Sequence, residues 1–136
     1  MKAVIDTNVV FAGLANRSGA AFKIFQRFFR GQFSWINSEE TMEEYEGVLS
    51  LSQKVSRVSL YIFMQLLQNR TILVQIENNL QFCKDPDDNK FLETAIIGGA
   101  DYLVTKNLKH FPRKSYESVR IVSVATFITE LEKLYP

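Results

Sequence analysis

Acidic and amide side chains recur along the chain at points where they could bind a metal ion. Asp6 directly follows a short apolar run, Glu44 lies on a predicted helix, the segment Asp85-Pro86-Asp87-Asp88 opens a later helix, and Asn107 follows another apolar run. Oxygen ligands without Cys or convergent His favour Mg²⁺ or Mn²⁺ over zinc. The chemistry that such a site indicates is metal-assisted transfer of a phosphoryl group to water, with no protein nucleophile.

The elements that must position these side chains follow from the hydrophobic pattern. Short apolar segments predict five strands, at residues 3–5, 33–36, 71–74, 102–105 and 119–122. Helical patterns cover about 20–30, 39–49, 55–69 and 89–97, and a closing helix ends near 134, while 75–84 is predicted as a loop. Strands that alternate with helices predict an α/β fold with a mostly parallel sheet covered on both faces.

Length and composition set limits on the class of protein. The chain has 136 residues, which predicts one domain over 1–136, and its 46% hydrophobic and 23% charged residues are typical of a soluble protein. No apolar stretch approaches the roughly 20 residues of a membrane span, and Asp6 interrupts any export signal. The single Cys83 excludes an intramolecular disulfide. We therefore expect a cytoplasmic protein without membrane association.

A local basic segment is the candidate for nucleic-acid binding, because a net charge of +1 supplies no global attraction for polyanions. It holds five potential cations within nine residues: Lys106, Lys109, His110, Arg113 and Lys114. A solvated loop is an equally good interpretation of the charges alone. For the lone His110, a surface or packing role is favoured over general acid catalysis.

Helical periodicity sorts the acids of the second predicted helix. A helical wheel over 41–49 places Glu40 and Glu43 in solvent, and Glu44 and Glu46 on the two borders of the buried face, where a carboxylate can line a cleft. Either border residue is a candidate ligand at this point. The predicted inward residues are Met42, Tyr45, Val48 and Leu49.

The same construction places Asp88 in line with the buried stripe of the later helix, whereas Asp85 belongs to the preceding turn. Asp87 or Asp88 is the expected N-cap, a role that is compatible with metal binding. Asp6, at the end of a buried strand, is partly desolvated and needs a cation or hydrogen-bond donors, which Thr7 or Asn8 can supply. Three converging carboxylates would raise each other's pKa, and a divalent cation removes that conflict.

Four segments together resemble PIN-domain ribonucleases, in particular the bacterial toxin components of toxin–antitoxin systems. They are Val4-Ile5-Asp6-Thr7-Asn8-Val9, Ser38-Glu39-Glu40-Thr41-Met42-Glu43-Glu44-Tyr45, Asp85-Pro86-Asp87-Asp88-Asn89-Lys90-Phe91-Leu92 and Ala100-Asp101-Tyr102-Leu103-Val104-Thr105-Lys106-Asn107. The resemblance covers nearly the whole chain, and the order and spacing of the segments make it specific.

The resemblance implies a three-layer α/β/α fold with five parallel strands in the order 3-2-1-4-5, and hydrolysis of single-stranded RNA with Mg²⁺ or Mn²⁺. By position, Asp6, Glu44 and Asp88 correspond to the family's metal-binding acids, so that Glu44 is chosen over Glu46. Asn107 is the fourth catalytic position, at which many members carry Asp. An antitoxin protein is the implied partner, and self-association is common in the family. Four auxiliary residues complete the predicted site: Asn8, Ser38, Asp85 and Thr105.

Two other functions compete with this interpretation. A phosphatase of the haloacid-dehalogenase type also begins with a strand followed by Asp, but it needs Asp-x-Asp where this chain has Asp6-Thr7-Asn8. A PIN-like module that binds RNA or protein without cutting has only Asn107 and the neutral net charge in its support. The three converging acids favour the enzyme, because they would oppose the binding of a polyanion. Ser38 and Thr105 either position water and ligands or act only as a helix cap and a strand end.

Overall fold

The computed structural model describes residues 1–136 and contains six strands and six α-helices. The strands are β1 (Lys2–Ile5), β2 (Ser34–Asn37), β3 (Ile72–Leu73), β4 (Tyr102–Val104), β5 (Ser115–Tyr116) and β6 (Val119–Val122). The helices are α1 (Thr7–Ala15), α2 (Ala20–Phe29), α3 (Glu39–Ser50), α4 (Arg57–Arg70), α5 (Pro86–Ile97) and α6 (Val124–Leu134). None of the helices combines the length and the apolar character that crossing a membrane requires.

The sheet has the order β3-β2-β1-β4-β6-β5. All neighbours pair in parallel except β5, which pairs antiparallel with β6. The predicted α/β class and the predicted order of the parallel strands are confirmed, since β6 takes the place of the fifth parallel strand. The predicted number of five strands is wrong. The additional strand, β5, has only two residues, too few to produce a periodic pattern in the sequence.

The core forms because the central strands are apolar on both faces, as parallel strands covered by helices must be. Every residue from Ala3 to Ile5 is inaccessible to solvent, and β4 is buried throughout. On one face, the aromatic residues of α2 pack against the sheet: Phe25 stacks on Trp35 with ring centroids 6.1 Å apart and contacts Phe63 at 5.1 Å. The aromatic stripe predicted for this helix is therefore mostly core, although Phe29 is 40% exposed.

One helix was not predicted, and two local predictions need correction. The unpredicted helix is α1, which follows β1 without a loop; its apolar, partly β-branched sequence lacks the polar face that identifies a surface helix. The later helix begins at Pro86, three residues before the predicted start, with Asp85 as its N-cap in place of Asp87 or Asp88. Proline is favoured in the first helical turn, where its missing N–H is not needed. Val48, predicted to face inward, is 45% exposed at the end of α3.

The close packing of α1 against α2 depends on Gly13. A Cβ at this position would lie 2.5 Å from Cε2 of Phe25, whose ring cannot retreat because it packs between Trp35 and Phe63. We expect Gly13→Ala to lower the free energy of unfolding by about 1–3 kcal/mol, the usual effect of overpacking. Gly47→Ala is the matched control, because a Cβ there meets no atom within 4 Å, and it should stabilise α3 by about 0.5–1 kcal/mol. Urea unfolding of the two variants measures both values.

Candidate active site

Asp6 lies at the carboxyl ends of the two central strands, and three hydrogen bonds fix it there. Its N–H donates to the carbonyl of Val104 at 2.9 Å, which extends the pairing of β1 with β4. Its carboxylate accepts from the N–H of Thr7 at 2.8 Å, as the N-cap of α1, and from Oγ1 of Thr105 at 2.7 Å. The carboxylate is buried at the switch point of the sheet, where ligands of such folds bind.

Glu44 reaches the same place from α3. Its Oε2 accepts a hydrogen bond from Oγ1 of Thr7, and its Oε1 lies 3.4 Å from Nζ of Lys90 on α5. The next residue, Tyr45, is fully buried and donates its hydroxyl hydrogen to the carbonyl of Ile5, which holds α3 against the end of β1. Glu46 is exposed and does not line the cleft. The structure thus places Glu44, and not Glu46, beside Asp6.

Asp88 is the third acid, and it projects from the first turn of α5. It is buried, in line with the inward stripe, as the helical spacing predicts. Its Oδ2 is shielded from solvent and has no hydrogen-bond donor. The His110 ring lies nearest to this oxygen, with Nδ1 at 3.5 Å. A buried oxygen without a donor is costly to maintain, and such an atom needs a ligand or a proton.

These side chains line one open cleft of about 650 Å³. One wall is acidic, and the other is apolar, formed by Phe11, Val48 and Leu51, the last of which is 87% exposed. The polar residues of the cleft are Asp6, Thr7, Asn8, Glu44, Ser52, Asp85, Asp87, Asp88, Asn107 and His110.

The acids of the cleft hold their negative charge at a cost. Burial raises the pKa of Asp6, although the hydrogen bonds from Thr105 and Thr7 oppose it. Burial likewise raises the pKa of Glu44 against the opposing effects of Thr7 and Lys90, and the charge of Asp6 adds slightly to the rise. Burial, and then the charge of Asp6, raise the pKa of Asp88 to about 6. The pKa of the Cys83 thiol is raised to about 11 by burial and by the fields of Asp88 and Asp6. The cleft therefore favours a bound cation.

The donor set fits a hard divalent cation, because it consists of carboxylate oxygens together with the side-chain oxygens of Asn8 and Asn107. The Oδ2 of Asp88 receives no hydrogen bond in the structure and is available to bind an ion. No three His, Cys, Asp or Glu side chains are already gathered at the distances of a metal centre. Binding of an ion by all three acids would thus require side-chain movement.

A family model of the PIN domain matches residues 2–109, which is most of the chain. The chain belongs to the PIN-domain family. PIN domains are generally nucleases, and they typically use divalent metal ions.

Individual proteins also resemble this PIN domain. The uncharacterized protein MJ1680 of Methanocaldococcus jannaschii is 25% identical in an alignment of 145 residues, gaps included. The alignment covers 98% of this chain and 93% of that protein. The structure of VapBC2 from Rickettsia felis, bound to a DNA fragment from their promoter, has a TM-score of 0.57 and 14% identity. That match covers 90% of this chain and 98% of the matched chain, and at this identity it shows a shared fold.

Two of the predicted auxiliary residues of the PIN domain lie behind the cleft. Ser38 is fully buried, caps α3 through Thr41 and lies 2.8 Å from Oγ1 of Thr94. Thr105 is also fully buried, but it touches the site through its bond to Asp6, and its Oγ1 accepts the N–H of Asn107 at 3.0 Å. Asn8 lines the cleft, and its Oδ1 accepts the N–H of Lys106 at 3.2 Å. Asp85 lines it as the N-cap of α5.

The basic segment separates into two parts. Lys106, Lys109 and Lys114 are exposed, and the short 3-10 helix Leu108–His110 directs His110 into the cleft. Arg113 instead lies over the ring of Tyr116 at 4.8 Å, and its Nε donates to the carbonyl of Ser115 at 3.5 Å. The segment therefore borders the cleft on one side, while its arginine is held against the β5 hairpin.

Two groups in and beside the cleft were not singled out from the sequence. Lys90 lies three residues after Asp87, and its Nζ is 3.5 Å from Oδ1 of Asp87, a contact that helical spacing can predict. Its contact with Glu44 joins two helices that are far apart in the chain, and no local pattern indicates it. The apolar wall combines Phe11 of α1 with the end of α3, again a long-range arrangement.

Proposed function

We propose that this PIN domain is an endoribonuclease that hydrolyses phosphodiester bonds of single-stranded RNA with Mg²⁺ or Mn²⁺. The observation that carries the proposal is the convergence of Asp6, Glu44 and Asp88 from three different elements in one cleft, where burial raises the pKa of each. A site that only gripped a polyanion would gain from positive charge at this place, and not from three carboxylates.

The residues in and beside the cleft would have different roles in this reaction. Asp6 is held in one orientation by its two donors, so that it can bind an ion without first losing conformational freedom. Glu44 and Asp88 approach from the two flanking helices, with Asn8 and Asn107 as neutral oxygen donors. Once bound, a divalent ion would polarise the phosphodiester and lower the pKa of an attacking water. Lys106 and Lys109, exposed beside the cleft, would bind flanking phosphates of the RNA.

We further propose that the chain is the toxin of a toxin–antitoxin pair and that an antitoxin protein covers this cleft. The fold shared with VapBC2, a toxin–antitoxin complex, supports this assignment. Self-association remains a prediction from the family resemblance.

The test is cleavage of a labelled single-stranded RNA by the purified full chain in Mg²⁺, Mn²⁺ or EDTA. We expect cleavage with either ion and none in EDTA. Glu44→Gln should lower the rate by at least about tenfold, since even the loss of a group that only supports a metal ligand typically costs about 10- to 100-fold. Glu46→Gln is the matched control, because Glu46 lies on the same helix but outside the cleft, and it should cleave like the wild type.

Equal cleavage by the two glutamine variants would indicate a contaminating nuclease or a different site. Absence of cleavage, together with RNA binding that is independent of metal and unchanged by Glu44→Gln, would instead identify a non-catalytic RNA-binding module.

A further inference from the structure

Lys90 is a cation beside the acidic cleft, and it contacts two of the acids that line the cleft. Its Nζ lies 3.4 Å from Oε1 of Glu44 and 3.5 Å from Oδ1 of Asp87. The side chains of Lys90 and Glu44 are only 23% and 16% exposed. Since solvent screens a half-buried pair less than a surface pair, this interaction is stronger than an ordinary surface ion pair.

Both oxygens of Glu44 have a partner in the structure, and, unlike the neutral donors to Asp6, one of these partners is a cation. Its Oε2 accepts the hydroxyl hydrogen of Thr7, and its Oε1 faces the ammonium of Lys90. Asp88 differs, because its Oδ2 has no hydrogen-bond donor. No three acidic, histidine or cysteine side chains are gathered as a metal centre. The Lys90 contact therefore occupies the acid that would have to turn toward an ion.

We propose that Lys90 is an internal counter-ion that competes with the divalent cation for Glu44 and thereby sets the metal affinity of the site. The ammonium neutralises part of the acidic cluster in the metal-free protein. An ion bound by Glu44 must displace this contact and also experiences repulsion from the nearby positive charge. Because the coupling of two binding events is reciprocal, each cation weakens the binding of the other. This inference rests on the proposed metal-dependent function.

The direct test is the affinity of the full chain for Mn²⁺ at pH 7.5 and low ionic strength, measured from the free-ion electron paramagnetic resonance signal. Lys90→Gln should lower the dissociation constant by about tenfold, as the removal of one charge a few ångströms from the ion predicts. That change equals about 1.4 kcal/mol. Lys90→Arg, which retains the charge, should stay within about threefold of the wild type.

Two controls separate this effect from a general change of charge or fold. Lys23→Gln removes an exposed charge from α2, outside the cleft, and should leave the affinity unchanged. In EDTA, Lys90→Gln should melt at a lower temperature than the wild type, because Glu44 has lost its counter-ion, and saturating Mn²⁺ should remove this difference.

The outcomes are distinct. If the wild type binds Mn²⁺ and Lys90→Gln binds it equally or more weakly, the counter-ion role is overturned while the metal-dependent function stands. If neither protein binds Mn²⁺ at millimolar concentration, both are overturned. Tighter binding by Lys90→Gln alone among the three variants supports the inference.

Discussion

The Asp88→Asn protein is expected to melt at a higher temperature than the wild type in EDTA at pH 8, and to lose at least about a hundredfold in RNA cleavage with Mg²⁺. The two effects have the same cause. Without metal, the buried carboxylate of Asp88 has an oxygen with no donor and lies in the field of Asp6. With metal, that oxygen is proposed to be a ligand. The variant removes both the electrostatic conflict and the ligand.

The pH dependence follows from the raised pKa of Asp88, which is about 6 in the folded protein against an ordinary value of 3.8. Between these two values the folded state binds more protons than the unfolded state, so the wild type loses stability as the pH rises through this window. At pH 8 this cost applies in full and is on the order of 1–2 kcal/mol, because solvent in the open cleft screens part of the charge. The advantage of Asp88→Asn should therefore be largest at pH 8 and disappear near pH 4.

Thermal unfolding across this pH range, in EDTA, measures the difference between wild type and variant. Asp101→Asn is the control, because Asp101 is exposed and lies at the N-terminal ends of the central strands, whereas the cleft lies at their carboxyl ends. Its Oδ2 accepts the N–H of Lys2 at 2.9 Å. Saturating Mn²⁺ should reverse the order, since only the wild type gains from binding the ion. A variant that is less stable than the wild type at pH 8 would show that Asp88 has a structural role that the unpaired oxygen does not reveal.

Local patterns in the sequence were sufficient for the features that depend on neighbouring residues. The apolar run before Asp6 is a buried central strand, and the spacing of Asp88 to Phe91 and Leu92 does place all three on the buried stripe of α5. The placement of Glu44 at the border of a helix face is confirmed as well, but periodicity alone left Glu46 as an equal candidate. The structure separates these two acids because Tyr45 anchors α3 to the end of β1.

Features that depend on contacts between distant segments were not predictable in this way. The pairing of Lys90 with Glu44 and of His110 with Asp88 each joins residues on separate elements, and neither leaves a periodic trace. The end of α3 is a further example, since Val48 occupies an inward position on the wheel but faces the open cleft. The helix ends there, and no neighbouring element covers it.

Glu93, on α5, is a further buried carboxylate, which the sequence analysis did not single out, and its surroundings are the opposite of those of Asp88. Its two oxygens accept four backbone N–H groups of the preceding loop, at 2.7–2.9 Å, from Glu77, Asn78, Asn79 and Leu80. Burial alone would raise the pKa of Glu93, but the four hydrogen bonds together outweigh it and lower the pKa. The carboxylate thus holds a loop that includes Asn78 in the left-handed region, with φ of 62°.

Glu93→Gln is expected to lower the free energy of unfolding by about 3 kcal/mol at pH 7. The amide nitrogen of Gln would replace an oxygen that accepts two backbone N–H groups, and it cannot accept these hydrogen bonds. Because folding lowers the pKa of Glu93, its carboxylate stabilises the wild type fully at pH values above the ordinary pKa of 4.5. This stabilisation is lost as the pH falls through the lower pKa that Glu93 has in the folded protein. The difference between wild type and Glu93→Gln should therefore shrink in acid, whereas that for Asp88→Asn is largest in base. Urea unfolding at pH 7 and below pH 4 tests this.

The matched control for Glu93→Gln is Glu77→Gln, because Glu77 is exposed and its side chain contacts only Asn79, with Oε2 at 3.1 Å from Nδ2. It should change stability by less than about 0.5 kcal/mol. Amide hydrogen exchange gives a local measurement: the N–H groups of Asn78, Asn79 and Leu80 should exchange faster in Glu93→Gln than in either other protein. Unchanged exchange at these three amides would show that the loop is held by other contacts, and that Glu93 stabilises only its own helix.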